Sequence, residues 1–498
     1  MYQHRIRRPS LMNAVMSADQ AARLVTDGMT VGMSGFTRAG EAKAVPLAMA
    51  ERAQSHPFGI TLMTGASLGN DIDKLLTEAK VIKRRLPFQV DPVLRAAINR
   101  GEISFIDQHL SETVEMLRSR QMGPIDVAIV EATAILEDGS IVPTTSVGNS
   151  ATFAILAEKV IVEINLNQPL ELEGLHDIYI PSRRPHREPI GVMKCDDRIG
   201  LKSIPIEPSR IAAIVITGQT DSPSSNEPGD HATKAIATHL IKFFEAEVEA
   251  GRLGRSLAPL QAGIGSIANS VLQGMIDSPF HGLTMYSEVL QDSTIELIDA
   301  GKMTFASASS ITLSAPFAER FRERLSEYKD KIVLRPQEIS NHPEVIRRLG
   351  IIGINTALEC DIYGNINSTH VSGTHMMNGL GGSGDFARNA YMSVFVARST
   401  AKDGAISTVV PMVSHVDHTE HDVDVIVTEH GLADLRGLTP RERAPLMIAN
   451  CMDPAFREEA MDYFERACKQ AGGQTPHLLA EAFAWHVRRA ETGTMRRK

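Results

Sequence analysis

Cysteine is scarce in this chain. Its 498 residues hold four, Cys195, Cys360, Cys451 and Cys468, and no two form a CxxC pair. That argues against a disulfide framework or a zinc knuckle, and suits a reducing compartment. Long apolar runs are also missing: none approaches the roughly 18 residues that a membrane-spanning helix requires. The opening "MYQHRIRRPSLMNAVMSADQ" lacks the apolar centre of a secretory signal. It is basic, as a mitochondrial presequence is, but Asp19 and the helix it opens favour mature protein, so the cytoplasm is expected over the mitochondrion. Lysine and arginine are scattered rather than striped and the net charge is −9, which leaves no electrostatic footprint for nucleic acid.

What is present describes an ordinary globular chain, with 43% hydrophobic and 22% charged residues. Its length exceeds what one core usually reaches, so two domains are expected. In the first half, "MTVGMSGF", "GITLMTGAS", "ISFIDQHL", "IDVAIVEATAI", "KVIVEINL" and "IAAIVIT" predict strands, several of them apolar on both faces. Helical patterns such as "GEAKAVPLAMAERAQ" and "LSETVEMLRSR" alternate with them, which is the signature of an open, mostly parallel α/β sheet. The tract "TGQTDSPSSNEPGD" has linker composition, and a boundary is expected there, dividing 1–222 from 223–498. Beyond it a helical run, "ATKAIATHLIKFFEAEVEAGRL", and strand-like runs "LTMY", "MTFASASS", "KIVLRP", "ISTVVPMV" and "VDVIVTEHG" repeat the α/β pattern. A closing helix is expected over "TPHLLAEAFAWHVRRAETGTM", which holds the single tryptophan, Trp485.

Three segments carry chemistry. In "LTMYSEVLQDSTIELIDAGK", Glu288 falls just past a strand ending near Tyr286. Asp292 or Ser293 can cap the helix that follows, and Gly301 can end it. Ligands of open α/β sheets bind at that carboxyl edge. Position alone also suits a solvated or capping carboxylate, since surface glutamates outnumber catalytic ones. Upstream, "LQAGIGSIANSVLQGMI" places Gly263-x-Gly265-x-x-Ala268 ahead of a helix, where free N–H groups can receive an anion. Together with an acid after the next strand this loop also fits a dinucleotide fingerprint, so an NAD-dependent dehydrogenase is the rival. Against that stands the thin support for an initial strand at "APLQA". The third segment, "MMNGLGGSGDFARNA", clusters Gly379, Gly381, Gly382 and Gly384 ahead of a helix expected near Asp385, and permits close backbone approach to a ligand.

With "YSEVLQDS", "GIGSIAN", "LRPQEISNHPEVIRRLG", "DIYGNINSTHV", "MNGLGGSGDFARNAY" and "VTEHGLADLRGL" together, the chain resembles the acetyl-CoA hydrolase/transferase family, and within it the succinyl-CoA:acetate CoA-transferases. Further matching segments, from "SGFTRAGEAKAVP" and "VEATAILEDGSIVPTTSVGNS" to "TPHLLAEAFAWH", extend the resemblance over essentially the whole chain. It implies two CoA-transferase-type open α/β domains, the second carrying the catalytic glutamate, and a ping-pong reaction through a glutamyl-CoA thioester with Glu288 as nucleophile. A carboxylate is ionised at neutral pH without a general base, so the lack of a Ser/His/Asp arrangement is no objection. The resemblance further implies oxyanion donors at the backbone N–H groups of Ile264 and Gly382. It implies CoA contacts at Gly263, Ile264, Gly265, Ser266, Ile267, Leu358, Asn378, Gly382 and Lys402, positioning by Asn341, and support from Glu429. Lys402 suits a phosphate, although a solvated lysine is its plain alternative. Acyl-CoA and small carboxylic acids are the implied partners, with CoA a substrate rather than a resident cofactor, and a homodimer is implied as the assembly. One departure stands out: where the family leads one to expect an arginine-containing linker, "TDSPSSNEPG" has no basic residue.

His415, His418 and His421 recur at spacings of three, but they run into the strand "VDVIV" and match no metal signature, so no metal is expected. Substrate choice stays open. Transfer from succinyl-CoA to acetate leads, followed by acetyl-CoA hydrolysis at the same glutamate and by propionyl-CoA:succinate transfer, since a methylene changes pocket affinity by only about 1 to 3 kcal/mol. A non-catalytic CoA sensor is the remaining alternative.

Overall fold

The computed structural model describes residues 2–185, 187–224 and 229–497. These form two compact units, neither continuous in sequence: unit one is drawn from 1–225, 285–295 and 304–349, and unit two from 226–284, 296–303 and 350–498. The first run of unit one ends at residue 225, against the boundary expected at 222/223; the chain returns to that unit twice, and Glu288 and Asn341 lie in the returns. Residues 225–228 of the expected linker lie outside the described residues.

Unit one is built on seven parallel strands: β1 (Thr30–Met33), β2 (Ile60–Met63), β3 (Ile82–Leu86), β4 (Ser104–Phe105), β5 (Val127–Ala132), β6 (Lys159–Asn165) and β7 (Ile211–Thr217). Their order is β4-β3-β2-β1-β5-β6-β7, with every neighbouring pair parallel. The order reverses between β1 and β5, the kind of switch point where ligands bind in such sheets. The apolar runs read as strands give six of the seven. All six residues of β5 are buried, as strands covered on both faces must be. β3, with sequence IKRRL, was not expected. Its Lys83 and Arg84 are exposed, while the fully buried Arg85 is neutralised by Asp73 at 3.0 Å, a pairing that makes a charged strand tolerable. After β1 the helix Ala44–Ser55 starts on the carboxylate of Glu163 from β6, which accepts from the N–H groups of Lys43 at 2.7 Å, Ala44 at 3.0 Å and Val45 at 2.6 Å. An acid at this end satisfies donors the helix leaves unpaired and complements its dipole.

The returning segments are tied into unit one by backbone bridges from Ser146 to Ser310, Gly148 to Pro336 and His176 to Leu334. A buried ion pair between Arg335 and Asp177 reinforces them. Strand Met303–Ala308 pairs in parallel with Ile332–Leu334, and Val289–Leu290 with Ser310–Ile311.

Unit two contains the strands β8 (Leu260–Ala262), β9 (Ile352–Thr356), β10 (Met392–Val396), β11 (Val425–Thr428) and β12 (Gly431–Asp434). β8 to β11 are parallel neighbours in that order, and β12 closes antiparallel on β11. The helix His231–Glu249, whose N-cap Asp230 accepts from Thr233 N–H at 3.0 Å, packs on the helix Ser266–Gly274 and on β11. Trp485 is buried in the apolar cluster of this unit. The closing helix is shorter than expected, covering Ala484–Thr492 only. The stretch ahead of it instead packs irregularly, with the Tyr363 hydroxyl bonded to the Pro476 carbonyl and its ring edge-on to His477 at 4.9 Å.

Candidate active site

Glu288 lies two residues past the end of the strand Leu283–Tyr286, as expected from the sequence. Its backbone is pinned, the carbonyl accepting from the N–H groups of Ser309 at 2.9 Å and Ser310 at 3.1 Å. Ser287 N–H donates to the Ser307 carbonyl at 2.9 Å. The residue keeps partial access to solvent, yet its carboxyl is sheltered, and this desolvation pushes its pKa up to about 7 against the opposing pull of one hydrogen bond from Asn341. That bond runs from Asn341 Nδ2 to Glu288 Oε1 at 2.8 Å. Asn341 is fully buried at the end of the short helix Gln337–Ser340. Its Oδ1 accepts from the Ser340 hydroxyl at 2.8 Å, which leaves Nδ2 oriented as donor. The helix is held by Tyr286, whose buried hydroxyl donates to the Ile339 carbonyl at 2.7 Å, and by Gln337, whose Nε2 donates to the Leu110 carbonyl at 2.9 Å. Strand, nucleophile candidate and amide are thus locked to one another. The helix begins at Asp292, whose carboxylate accepts from Ser314 N–H at 2.9 Å. Gly301 ends the helix as expected, in a left-handed turn with φ +68°.

The remaining candidates lie in unit two. The strand before the glycine loop, thinly supported by sequence, is present as β8, three buried residues long. Gly263 N–H donates to the Ile354 carbonyl at 2.9 Å. Ile264 is then left 48% exposed, unusual for a large apolar side chain ahead of a helix. Gly265 has φ +126°, a conformation that side chains disfavour, and Ser266 and Ile267 open the helix Ser266–Gly274. The second glycine loop turns at Gly381, φ +64°, and Gly382 precedes the helix Ser383–Ala387, slightly earlier than expected. Ser383 Oγ lies 3.1 Å from His418 Nε2. Leu358 is partly exposed, its N–H donating to the Asn367 carbonyl at 2.9 Å. Asn378 is half-buried ahead of the glycines. Lys402 is exposed at the turn of the small hairpin joining Thr400–Ala401 to Ile406–Ser407. Glu429 follows β11, and its carboxylate accepts from the N–H of Ser399 at 2.8 Å and from its hydroxyl at 2.6 Å. Ser399 and Tyr286 were not singled out from the sequence, because a lone serine or a buried tyrosine carries no spacing signal.

The three histidines disperse. His418 is buried against Phe395 with centroids 5.0 Å apart, His415 lies against His370 with centroids 3.9 Å apart, and His421 is exposed. Among the described residues no group of three acidic, histidine or cysteine side chains is placed to hold a metal ion.

The crystal structure of RipA from Yersinia pestis, 22% identical, superposes with a TM-score of 0.71 over 92% of this chain and 98% of that one, a likeness of fold. A succinyl-CoA:acetate CoA-transferase of Clostridium kluyveri is 49% identical over 99% of this chain and 92% of its own length. An acetyl-CoA hydrolase of Eremothecium gossypii is 44% identical over 100% of this chain and 98% of its own. Residues 2–216 match the acetyl-CoA hydrolase/transferase N-terminal domain and residues 318–464 the C-terminal domain of the same name, so the chain belongs to the acetyl-CoA hydrolase/transferase family.

Proposed function

We propose that this enzyme moves CoA between an acyl-CoA and a carboxylate through Glu288, with succinyl-CoA and acetate as the preferred pair. The observation that carries the proposal is the sheltered Glu288 carboxyl with one donor, Asn341 Nδ2, at 2.8 Å. A carboxylate whose pKa lies near 7 is more basic than a solvated one, and so more nucleophilic once deprotonated.

The reaction balances without a net proton. A Glu288 carboxylate oxygen attacks the thioester carbonyl, the C–S bond breaks, and CoA leaves as thiolate from a mixed anhydride. The thiolate then attacks the glutamyl carbonyl and expels the first acid as its carboxylate, leaving a glutamyl-CoA thioester that an acceptor carboxylate discharges by the reverse steps. Asn341 holds the attacking oxygen in register. The N–H groups of Ile264 and Gly382 are assigned to the developing oxyanions, where each such donor is worth about 3 to 4 kcal/mol in other acyl-transfer sites. Gly263, Gly265, Ser266, Ile267, Leu358, Asn378 and Lys402 are assigned to CoA. Glu429 acts in support, its carboxylate held by Ser399. The similarity to the Clostridium kluyveri transferase supports the choice of substrates.

The test is to incubate the protein with acetyl-CoA alone, quench in acid, and find CoA by peptide mass. CoA on the Glu288 peptide, discharged by succinate, is the expected result. Intact acetyl-CoA with no adduct overturns the proposal, and steady loss of acetyl-CoA without acceptor assigns the hydrolytic activity named for the Eremothecium gossypii relative.

A further inference from the structure

Asn341 faces Glu288 from the end of a short helix, and every residue from Gln337 to Asn341 is buried. One of them is charged. Glu338 lies three residues ahead of the amide. Its carboxylate is met by Arg118 Nη2, 2.7 Å from each oxygen, and by the Thr152 hydroxyl at 3.1 Å. Arg118 ends the helix Thr113–Arg118 ahead of β5, and Thr152 belongs to the helix Ser150–Leu156 between β5 and β6. The short helix is therefore tied by a charge to helices on either side of β5, where the strand order of unit one reverses.

The ionic contacts continue beyond Arg118. Its Nη1 lies 3.1 Å from Glu115, one helical turn earlier, and Glu115 also meets Arg184 at 3.2 Å and Arg187. Arg187 Nη1 in turn lies 3.1 Å from Nε2 of His342, the residue directly after Asn341. The series Glu338, Arg118, Glu115, Arg187, His342 thus begins before the amide and ends just after it. Its charges balance: Glu338, Glu115 and Glu112, which holds Arg184 at 2.7 Å, face Arg118, Arg184 and Arg187. Burial and the neighbouring Arg187 push the pKa of His342 down to about 4, so at neutral pH the ring is uncharged and can accept from a guanidinium.

Such a network is a poor source of stability, because desolvating the charges offsets most of their attraction. What it supplies is direction. A helix of one turn is not stable by itself, and an apolar contact would let it slide or rotate, whereas the Glu338 carboxylate has one matching place. Asn341 Nδ2 has to reach 2.8 Å from Glu288 Oε1, and a displacement of about 1 Å in an active site can cost about a hundredfold in rate.

We infer that Glu338 and Arg118 are positioning residues: their ion pair, continued through Glu115 and Arg187 to His342, holds the Asn341 amide against Glu288, an inference that rests on Glu288 as the nucleophile.

Glu338→Gln keeps the shape of the side chain and removes its charge. For CoA transfer from succinyl-CoA to acetate, kcat is expected to fall at least about tenfold while KM for succinyl-CoA holds within about twofold. The Glu288 carboxyl, titrated by infrared difference against Glu288→Gln, is expected to keep its proton to higher pH, the direction that losing the Asn341 donor gives. In an Asn341→Ala background the same substitution is expected to change kcat by less than about twofold, because a residue that acts through Asn341 has nothing left to act on. Glu338→Met/Arg118→Met exchanges the pair for apolar groups and leaves Glu115 with Arg184 and Arg187; it is expected to keep the unfolding temperature and still lose kcat. An unmoved Glu288 titration in Glu338→Gln, a full further loss in the Asn341→Ala background, or wild-type kcat in the paired Met variant each overturns the inference. The infrared titration needs no turnover, so it reads the hold on Asn341 separately from the CoA-adduct test of Glu288 itself.

Discussion

At the scale of single residues, the acidity of Glu288 sets the behaviour of the proposed site. Only the carboxylate attacks, and burial pushes its pKa up to about 7, so kcat/KM is expected to rise with pH through about 7 and to level above it. Asn341→Ala removes the bond that favours the charged form. Since a hydrogen bond to a charged group contributes about 1.5 to 3 kcal/mol and one pKa unit is about 1.4, the ascending limb should move up by one unit or more, and kcat/KM at pH 7 should fall at least about fivefold. A pH–rate profile of both proteins checks this; an unshifted limb in the variant would show that Asn341 does not tune Glu288. The position of Glu288 was legible, because a charge directly after an apolar strand and before a helix is a local pattern. Its proton affinity was not. The sequence suggested an acid ionised at neutral pH; burial raises its pKa to about 7 while the hydrogen bond from Asn341, distant in sequence, opposes the rise, and no local pattern reports either effect.

At the scale of elements, the helix Gln337–Ser340 has only four residues, too few to be stable by itself. Among the bonds that orient it is the one from the Tyr286 hydroxyl to the Ile339 carbonyl, so the strand just before the nucleophile also helps to place the amide facing it. Tyr286→Phe keeps the ring and leaves that carbonyl unpaired in a dry site, which costs about 1 to 3 kcal/mol of stability. If the bond also positions Asn341, kcat should fall several-fold while KM for acetyl-CoA holds and the pH limb moves upward as in Asn341→Ala. A loss of stability with an unmoved pH profile would reduce Tyr286 to a purely structural role. The elements themselves were mostly readable. Runs such as IAAIVIT became β7 over their whole length, because strands buried on both faces leave an unbroken apolar signature. Failures came where long-range pairing decides the outcome: β3 carries charge that only Asp73 makes tolerable, and β8 is three residues long, below what periodicity can distinguish.

At the scale of the whole molecule, a linker-like composition near 222 suggested two domains in series, whereas unit one is completed by residues 285–295 and 304–349. Composition marks where a chain is exposed and says nothing about whether it later returns, so the re-entry was invisible in the sequence. Its physical consequence is testable by truncation. In a fragment ending at residue 224, Asp177 is buried with no Arg335 to pair it, and breaking such a pair costs about 3 to 5 kcal/mol. The bridges from Ser146, Gly148 and His176 to Ser310, Pro336 and Leu334 vanish with it, leaving backbone groups exposed along what becomes an open edge. A domain is stable by only about 5 to 15 kcal/mol, so residues 1–224 expressed alone should show no cooperative thermal transition and should be cut rapidly by protease. Residues 1–349, which contain every segment of unit one, should retain a cooperative transition and a protease-resistant core. A sharp melt in the shorter fragment would mean that the returning segments decorate a fold already complete without them, and that the proposed nucleophile was added to a finished scaffold rather than built into it.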